Sequence, residues 1–573
     1  MNLDPASSPT RACATLRGAR SGLARRSLVL LLAVLQFTTP WLLLPSPVHA
    51  ASALPALGDA ASDDLTVAAE KRLGDRIMLE IRRDPDVIDD PLLLDYVAQT
   101  FEPLITSARA RGEISEDLQG HFSFETFLVR DRSVNAFALP GGHIGVHLGL
   151  LAMTASRDEL AAVLAHELSH VTQRHIARMV AVNRRQSLIG IASFILGVMA
   201  ASRSPDAANA LIMGGQGVAA QGQLNFSRDM EREADRVGFG VLEGAGFAGV
   251  GMVGMFERLQ QSSRLDTQQF PYLRSHPLTG ERIGEARQRL GVSGAGASLA
   301  GNSGGEPARW LHAAMQGRAR ALMDNRNETL QRLARTTPAS NGPAGAATSP
   351  TSPISPTSPT SPTSGGPSET GPDALATAYA AALAASRLKD WAGADSALRR
   401  ALVLARPYEA AERAVEVLAV ESLIDRGRAG DALTLLRSRL DDGKRTSLLL
   451  GARAVLAATG PQAGPLADIK PRSDALQTWV ALHPSDAGAW QALGLLLERR
   501  GQPLAALRAQ AEVQLAYGDL AGAADRLRAG QRMARSSGQA DSVDAAIIDA
   551  RLTAVELIRR RVQVEERQNS GGG

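Results

Sequence analysis

The chain has 573 residues, room for about three to five domains of ordinary size. Its 44% apolar and 21% charged residues are those of a globular protein, and 4% aromatics leave little with which to stack nucleic-acid bases. Residues 1–50 hold five arginines against Asp4 alone, +4 where the whole chain sums to +3, so the remainder carries −1 and no field that would draw phosphate; a nucleic-acid partner is excluded.

Residues 1–50 read as a signal peptide. An arginine-bearing start leads into the apolar run Leu28–Leu35, and Val48 and Ala50 place small residues three and one before a cut near Ala50. A single membrane anchor over Leu28–Leu44 is the alternative, weakened by Pro40 and the polar stretch before it. Arg25-Arg26 alone does not separate Sec from twin-arginine export. The single cysteine, Cys13, lies in this segment, so any metal in the mature chain must be held by histidine and carboxylate.

Residues 51–300 mix helical and strand patterns. Asp64–Arg83 and Pro91–Ala110 read as amphipathic helices, Phe122–Val129 alternates like a half-buried strand, and Ala136–Val146 reads as a second strand or a hairpin broken at Pro140-Gly141-Gly142. Ser156-Arg-Asp-Glu159 is a capping box that opens a helix running into His166-Glu167-Leu168-Ser169-His170. Histidines at i and i+4 share a helix face and can reach one ion, and Glu167 stands beside the open coordination position to take a proton from water. The flanking Ala161–Ala165 segment is apolar, so the pair is buried, a costly arrangement that a metal relieves.

A catalytic zinc site needs a third protein ligand and one open position. Ser227–Gly238 supplies it: Glu231 and Asp235 form an i, i+4 pair, with Glu233 on another face. Glu231 is assigned as ligand and Asp235 as the supporting acid that holds a ligand histidine. His175 is read as solvated, two turns beyond the metal, and His143 and His147 as structural. Leu188–Ala201, uncharged but too short to span a bilayer, is a core helix or a lid hinged at Gly214–Gly217.

Residues 301–335 read as a connecting helical segment. Residues 336–372 are rich in Ser, Pro and Thr, a composition that cannot bury apolar surface and reads as a linker. Residues 373–565 are rich in Ala, Leu and Arg with a loose 35–40-residue period, and Trp490, Leu493, Gly494 and Ala506 fit a tetratricopeptide (TPR) pattern; residues 566–573 read as a disordered tail. A plain helical bundle is the alternative for this region.

HELSH with a downstream EREAD, Asn135–Gly142 upstream and Ser275–Arg282 downstream resemble the HtpX-like class of zinc metallopeptidases over roughly residues 65–290. With the leader and the repeats, the whole chain resembles the BepA-type periplasmic proteases. The resemblance implies an α+β, mostly helical zincin-like domain with a small β-sheet, followed by an all-α TPR-like domain. It implies one Zn2+ per chain on His166, His170 and Glu231, with Glu167 as general base. The strand at Asn135, Ala136 and Phe137 would bind substrate by β-augmentation. His276, before Pro277, matches the class's His-Pro position and is a candidate fourth ligand. The expected function is a periplasmic endopeptidase for misfolded or stalled outer-membrane proteins, its repeats gripping clients or the assembly machinery and its membrane contact at most peripheral. The alternative is an assembly adaptor in which proteolysis is secondary or latched off. The long Ser/Pro/Thr segment departs from the class and leaves open how closely the two parts pack.

Overall fold

A computed structural model describes residues 65–182, 228–263, 270–293, 303–335, 370–458, 469–540 and 542–570. The leader with its cut near Ala50, Leu188–Ala201, Gly214–Gly217 and all but the end of the Ser/Pro/Thr segment lie outside them. No helix among the described residues is long and apolar enough to cross a membrane. The described chain is mostly helical, with one small sheet.

The first helix, α1 (Val67–Ile81), starts at Thr66, whose Oγ1 accepts from the Ala69 amide, and buries Leu73, Ile77, Met78 and Ile81 on one face. Helix α2 spans Pro91–Ala110, the range the periodicity indicates. Asp90 caps it by accepting from the Leu93 amide, and Pro91 sits where its missing N–H costs nothing.

After β1 (Val87–Ile88) and the short α3 (Glu116–His121) come β2 (Glu125–Val129), β3 (Ala136–Leu139) and β4 (His143–His147), in the sheet order β1-β2-β4-β3. The Ala136–Val146 segment is therefore a hairpin, turning at Gly141 and Gly142 with φ of 83° and 90°. β2 and β4 pair in parallel, and β3 pairs antiparallel with β4 and forms the sheet edge.

Helix α4 (Leu148–Met153) leads to α5 (Arg157–Thr172), buried at every residue from Asp158 to Thr172. The Ser156 Oγ accepts from the Glu159 amide, as a capping box requires, but the Glu159 carboxylate reaches one residue further back, to the Ala155 amide at 2.6 Å, and takes Arg258 at 3.0 Å. Against α5 pack β3, α2, α7 (Arg228–Gly244) and α8 (Val250–Ser263). α7 comes close because residue 238 is glycine: a Cβ there would lie 3.1 Å from the Ala165 carbonyl oxygen and 3.2 Å from the His166 nitrogen. The short α9 (Tyr272–Ser275) and α10 (Gly280–Ser293) close this part.

Helices α11 (Gly305–Leu322) and α12 (Asn327–Arg335) precede the Ser/Pro/Thr segment, and α13 (Pro372–Arg387), α14 (Trp391–Ala405) and α15 (Glu409–Asp425) follow it. One hydrophobic core runs without a break from Val67 through Leu151, Leu164 and Met315 to Tyr379 and Leu418. The two parts thus pack as one body, and the Ser/Pro/Thr segment joins elements that share a core. Arg318 on α11 pins this junction: buried, it binds Asp90, the cap of α2, and Glu421 of α15, each at 2.7 Å.

The remaining helices are α16 (Ala429–Arg439), α17 (Arg445–Ala458), α18 (Ile469–Leu482), α19 (Ala487–Arg499), α20 (Pro503–Ala516), α21 (Leu520–Ser536) and α22 (Val543–Ser570), each packed on the next. Between α20 and α21 the chain turns at Gly518, φ 78°, and Asp519 then caps α21. Trp490, Leu493 and Ala506 share one core cluster, and Ala394, Leu398, Ala401, Ala432 and Leu436 are all buried. Arg445 of α17 bridges Asp89 and Asp486 at 2.8 and 2.7 Å, tying this region to the start of α2.

Candidate metal centre

On α5 the i, i+4 spacing stacks the rings of His166 and His170 with centroids 4.6 Å apart and Nε2 atoms 3.0 Å apart. Both are buried. α7 brings Glu231 to them, its Oε2 3.5 Å from His166 Nε2 and its Oε1 3.5 Å from His170 Nε2. The turn after α9 delivers His276, with Nδ1 3.3 Å from His166 Nε2 and 3.0 Å from Glu231 Oε1. Its ring stacks on Tyr272 at 4.6 Å, and its amide donates to the Tyr272 carbonyl, so the turn is held from two sides.

Donor atoms of His166, His170, Glu231 and His276 all lie within 4.8 Å of one another. Tetrahedral zinc, with bonds of about 2.0–2.2 Å to nitrogen and oxygen, spaces its ligands by about 3.3–3.5 Å. The separations of 3.0–3.5 Å fit that geometry. The chemistry of the donors fits as well. Three imidazole nitrogens converge in a dry space where too few protons can sit between them, and a cation resolves the clash of lone pairs. With no thiolate in the set, three nitrogens and one oxygen suit zinc. Four protein ligands close the coordination sphere.

The charges around the cluster are built from α7 and from Arg282 on α10. Asp235 Oδ1 lies 3.0 Å from His166 Nδ1, and Arg282 holds both Asp235 oxygens at 2.6 and 2.8 Å and Glu231 Oε2 at 2.8 Å. Burial would push both carboxyl groups up. For Asp235 the hydrogen bonds from Arg282 and His166 outweigh it and hold the group below the usual carboxylate range. For Glu231 the His276 and His166 rings do the same, far more strongly. Burial also works against a charged His166, but Asp235 and Glu231 raise it to about 9, whereas burial and the neighbouring His166 charge drive His170 well below its ordinary value.

Glu167 borders the cluster without joining it. Its Oε2 accepts from the Ala138 amide on β3 at 3.0 Å, and its Oε1 is 3.5 Å from His276 Nε2. Burial raises its carboxyl, with His276 opposing, which moves it toward the range a general base needs. The segment Asn135, Ala136 and Phe137 runs into this edge strand, with Asn135 and Ala136 buried and Phe137 edge-on to Phe127 at 5.8 Å.

His175 is not solvated. α5 ends at Thr172, Arg174 takes φ 51°, and a new helix, α6 (His175–Val182), starts on a changed axis. That break turns the His175 ring back, fully buried, with Nδ1 2.8 Å from His170 Nδ1 and Nε2 3.1 Å from Glu233 Oε2. A continuous helix cannot produce this, and the sequence carries no Gly or Pro to mark the break. Arg282 closes the Ser275–Arg282 motif, but the sequence gives it no role, because its partners Asp235 and Glu231 lie on a distant helix. His143 is held by Glu125 at 2.9 Å and His147 by Ser133 at 2.9 Å, while His312 takes the Tyr96 hydroxyl at 2.6 Å.

Residues 95–290 match the profile of peptidase family M48. A putative beta-barrel assembly-enhancing protease of Vibrio cholerae is 38% identical over 236 residues, 41% of this chain and 47% of its own length. The beta-barrel assembly-enhancing protease of Escherichia coli K12 is 32% identical over 245 residues, 43% and 48% of the two chains. The mitochondrial metalloendopeptidase OMA1 of Schizosaccharomyces pombe is 29% identical over 228 residues, 40% and 63%. The chain spans about half the length of the bacterial relatives it matches. The matched segment holds the whole of the buried His-His-Glu-His cluster, so the similarity to peptidase family M48 covers the candidate metal centre.

Proposed function

We propose that the chain is an exported zinc endopeptidase of the periplasm that cleaves misfolded or stalled outer-membrane proteins. Its helical region holds clients or the assembly machinery and gives it chaperone activity. The observation that carries this reading is the buried cluster of His166, His170, Glu231 and His276, bordered by Glu167 and the edge strand β3. The names of the beta-barrel assembly-enhancing proteases among the relatives support this substrate class, and the leader-like composition of residues 1–50 supports export.

Bound zinc polarises a scissile carbonyl and lowers the pKa of water toward neutrality. His166, His170 and Glu231 would hold it, with Asp235 and Arg282 orienting His166 and Glu231. β3, the last strand of the sheet among the described residues, would align an extended peptide through its main chain, which makes sequence selectivity weak and exposed backbone the requirement. Glu167, at the end of that edge, takes the proton of the attacking water and returns it to the leaving amine.

The second reading, an assembly adaptor with proteolysis latched off, has one observation in its favour. His276 stands where the fourth position of the site should be open. The test is metal analysis of the purified chain with a cleavage assay on an unfolded casein-type substrate, run with and without chelator and on Glu167→Gln. The expected result is about one zinc per chain, chelator-sensitive cleavage, and a Glu167→Gln variant that keeps its zinc and cleaves nothing. Full activity in that variant would sink the mechanism.

A further inference from the structure

His166 and His170 present one ring nitrogen each to the cluster and the other outward, and the outward contacts differ. His166 Nδ1 faces Asp235 at 3.0 Å, and Asp235 is clamped by Arg282. His170 Nδ1 faces a nitrogen, His175 Nδ1, at 2.8 Å. Only one proton fits between two ring nitrogens, so one ring donates and the other accepts. If His170 turns its Nε2 lone pair to the cluster, where it lies 3.0 Å from His166 Nε2 and 3.5 Å from Glu231 Oε1, its proton must sit on Nδ1. His175 Nδ1 then accepts it, and the His175 proton sits on Nε2, which donates to Glu233 Oε2 at 3.1 Å. That same oxygen takes Arg178 Nη1 at 2.7 Å. Every proton in the line His170–His175–Glu233–Arg178 is thereby assigned, and each assignment agrees with His170 ligating through Nε2.

We propose that His175 and Glu233 are positioning residues of the metal centre, an imidazole relay that fixes the tautomer and ring plane of His170 as Asp235 fixes those of His166. The inference rests on the metal-site reading. It gives Glu233, which the sequence places off the ligand face, a task one shell out. It also explains why the chain breaks its helix at Arg174, a residue held at φ 51°, where an unbroken helix would carry His175 away from His170. Glu231, Glu233 and Asp235 then serve three different partners from one turn and a half of α7: the ion, His175 and His166.

The test measures zinc affinity of the full chain by chelator competition, with the Co2+-substituted absorption spectrum as a second readout. Loss of an outer-shell partner of a ligand histidine typically costs about 10–100-fold in metal affinity. His175→Phe fills the space but accepts no proton, and it is expected to loosen zinc by that factor and to alter the Co2+ ligand-field bands. His175→Asn places a carboxamide oxygen close to where Nδ1 stands, and it is expected to recover most of the loss. Zinc held as tightly by His175→Phe as by the parent would overturn the relay. If His175→Phe fails to fold, Glu233→Ala carries the same test at a side chain 29% exposed, where truncation opens no core. Weakened zinc there supports the relay and parent-like affinity overturns it. A parent that binds no zinc would overturn the metal-site reading itself, a result distinct from either.

Discussion

Arg318 offers the sharpest test of how the two helical parts are joined. Its guanidinium is 3% exposed and donates to Asp90 at 2.7–3.0 Å, to Glu421 at 2.7 and 2.8 Å and to the Tyr379 hydroxyl at 3.2 Å. Arg318→Met keeps the apolar stem but leaves two carboxylates, side chains 10% and 13% exposed, without their cation. Removing one partner from a buried ion pair costs about 3–5 kcal/mol, and here a single cation serves two anions, so we predict a loss at the upper end of that range. At roughly 2 °C per kcal/mol for a body of this size the melting midpoint should fall by about 10 °C, followed by circular dichroism at matched heating rate. The triple variant Arg318→Met, Asp90→Asn, Glu421→Gln removes all three charges, and Asn still caps α2, so most of the loss should return. If the triple variant is no more stable than Arg318→Met, the cost lies in packing and not in stranded charge, and the reasoning fails.

Three further outcomes are expected. His166→Ala, His170→Ala and Glu231→Ala should each lose stoichiometric zinc; a Glu231→Ala chain that keeps it while Glu233→Ala does not would mean the wrong carboxylate was assigned. His276→Ala should keep its zinc and cleave an unfolded substrate faster and less selectively, since the fourth position opens; the rival role, a transition-state donor, gives instead a drop of roughly 100-fold, and unchanged turnover would leave His276 a turn residue. A protease site inserted between residues 340 and 365 and then cut should yield two fragments that co-elute on gel filtration, because α11, α13 and α15 share one core; separation in plain buffer would refute that packing.

The sequence located much of this centre because its chemistry is local. Two histidines four apart on an apolar helix, and a carboxylate pair four apart on another, share faces by helical geometry alone, and the cluster contains His166, His170 and Glu231, with Asp235 beside it. α2 could be read to the residue because Asp90-Pro91 marks its start in the side chains themselves. What periodicity cannot show is a change of axis: Arg174 carries no mark of its φ of 51°, so His175 was projected into solvent along a helix that does not continue. Composition left a different question open. A Ser/Pro/Thr stretch shows that a segment cannot form a core, but says nothing about whether the elements it joins meet, and Met315 meets the neighbourhood of Tyr379 from the other side of it. Arg282 belongs to the same class, since its partners are 47 and 51 residues away.

The spacing of α5 and α7 works as a calliper on the metal centre. His166 and His170 ride on α5 and His175 follows it, while Glu231, Glu233 and Asp235 all ride on α7, so these six groups move with the helix pair. The jaw width is set at residue 238, where even a methyl group would meet the Ala165 carbonyl and the His166 amide. A force that rolls or spreads this helix pair by a few tenths of an ångström misaligns the ion's ligands and both of their supports at the same time. On the proposed metal-site reading, such a displacement would disturb several ligands together, and a contact on the outer face of α7 would have leverage on the centre.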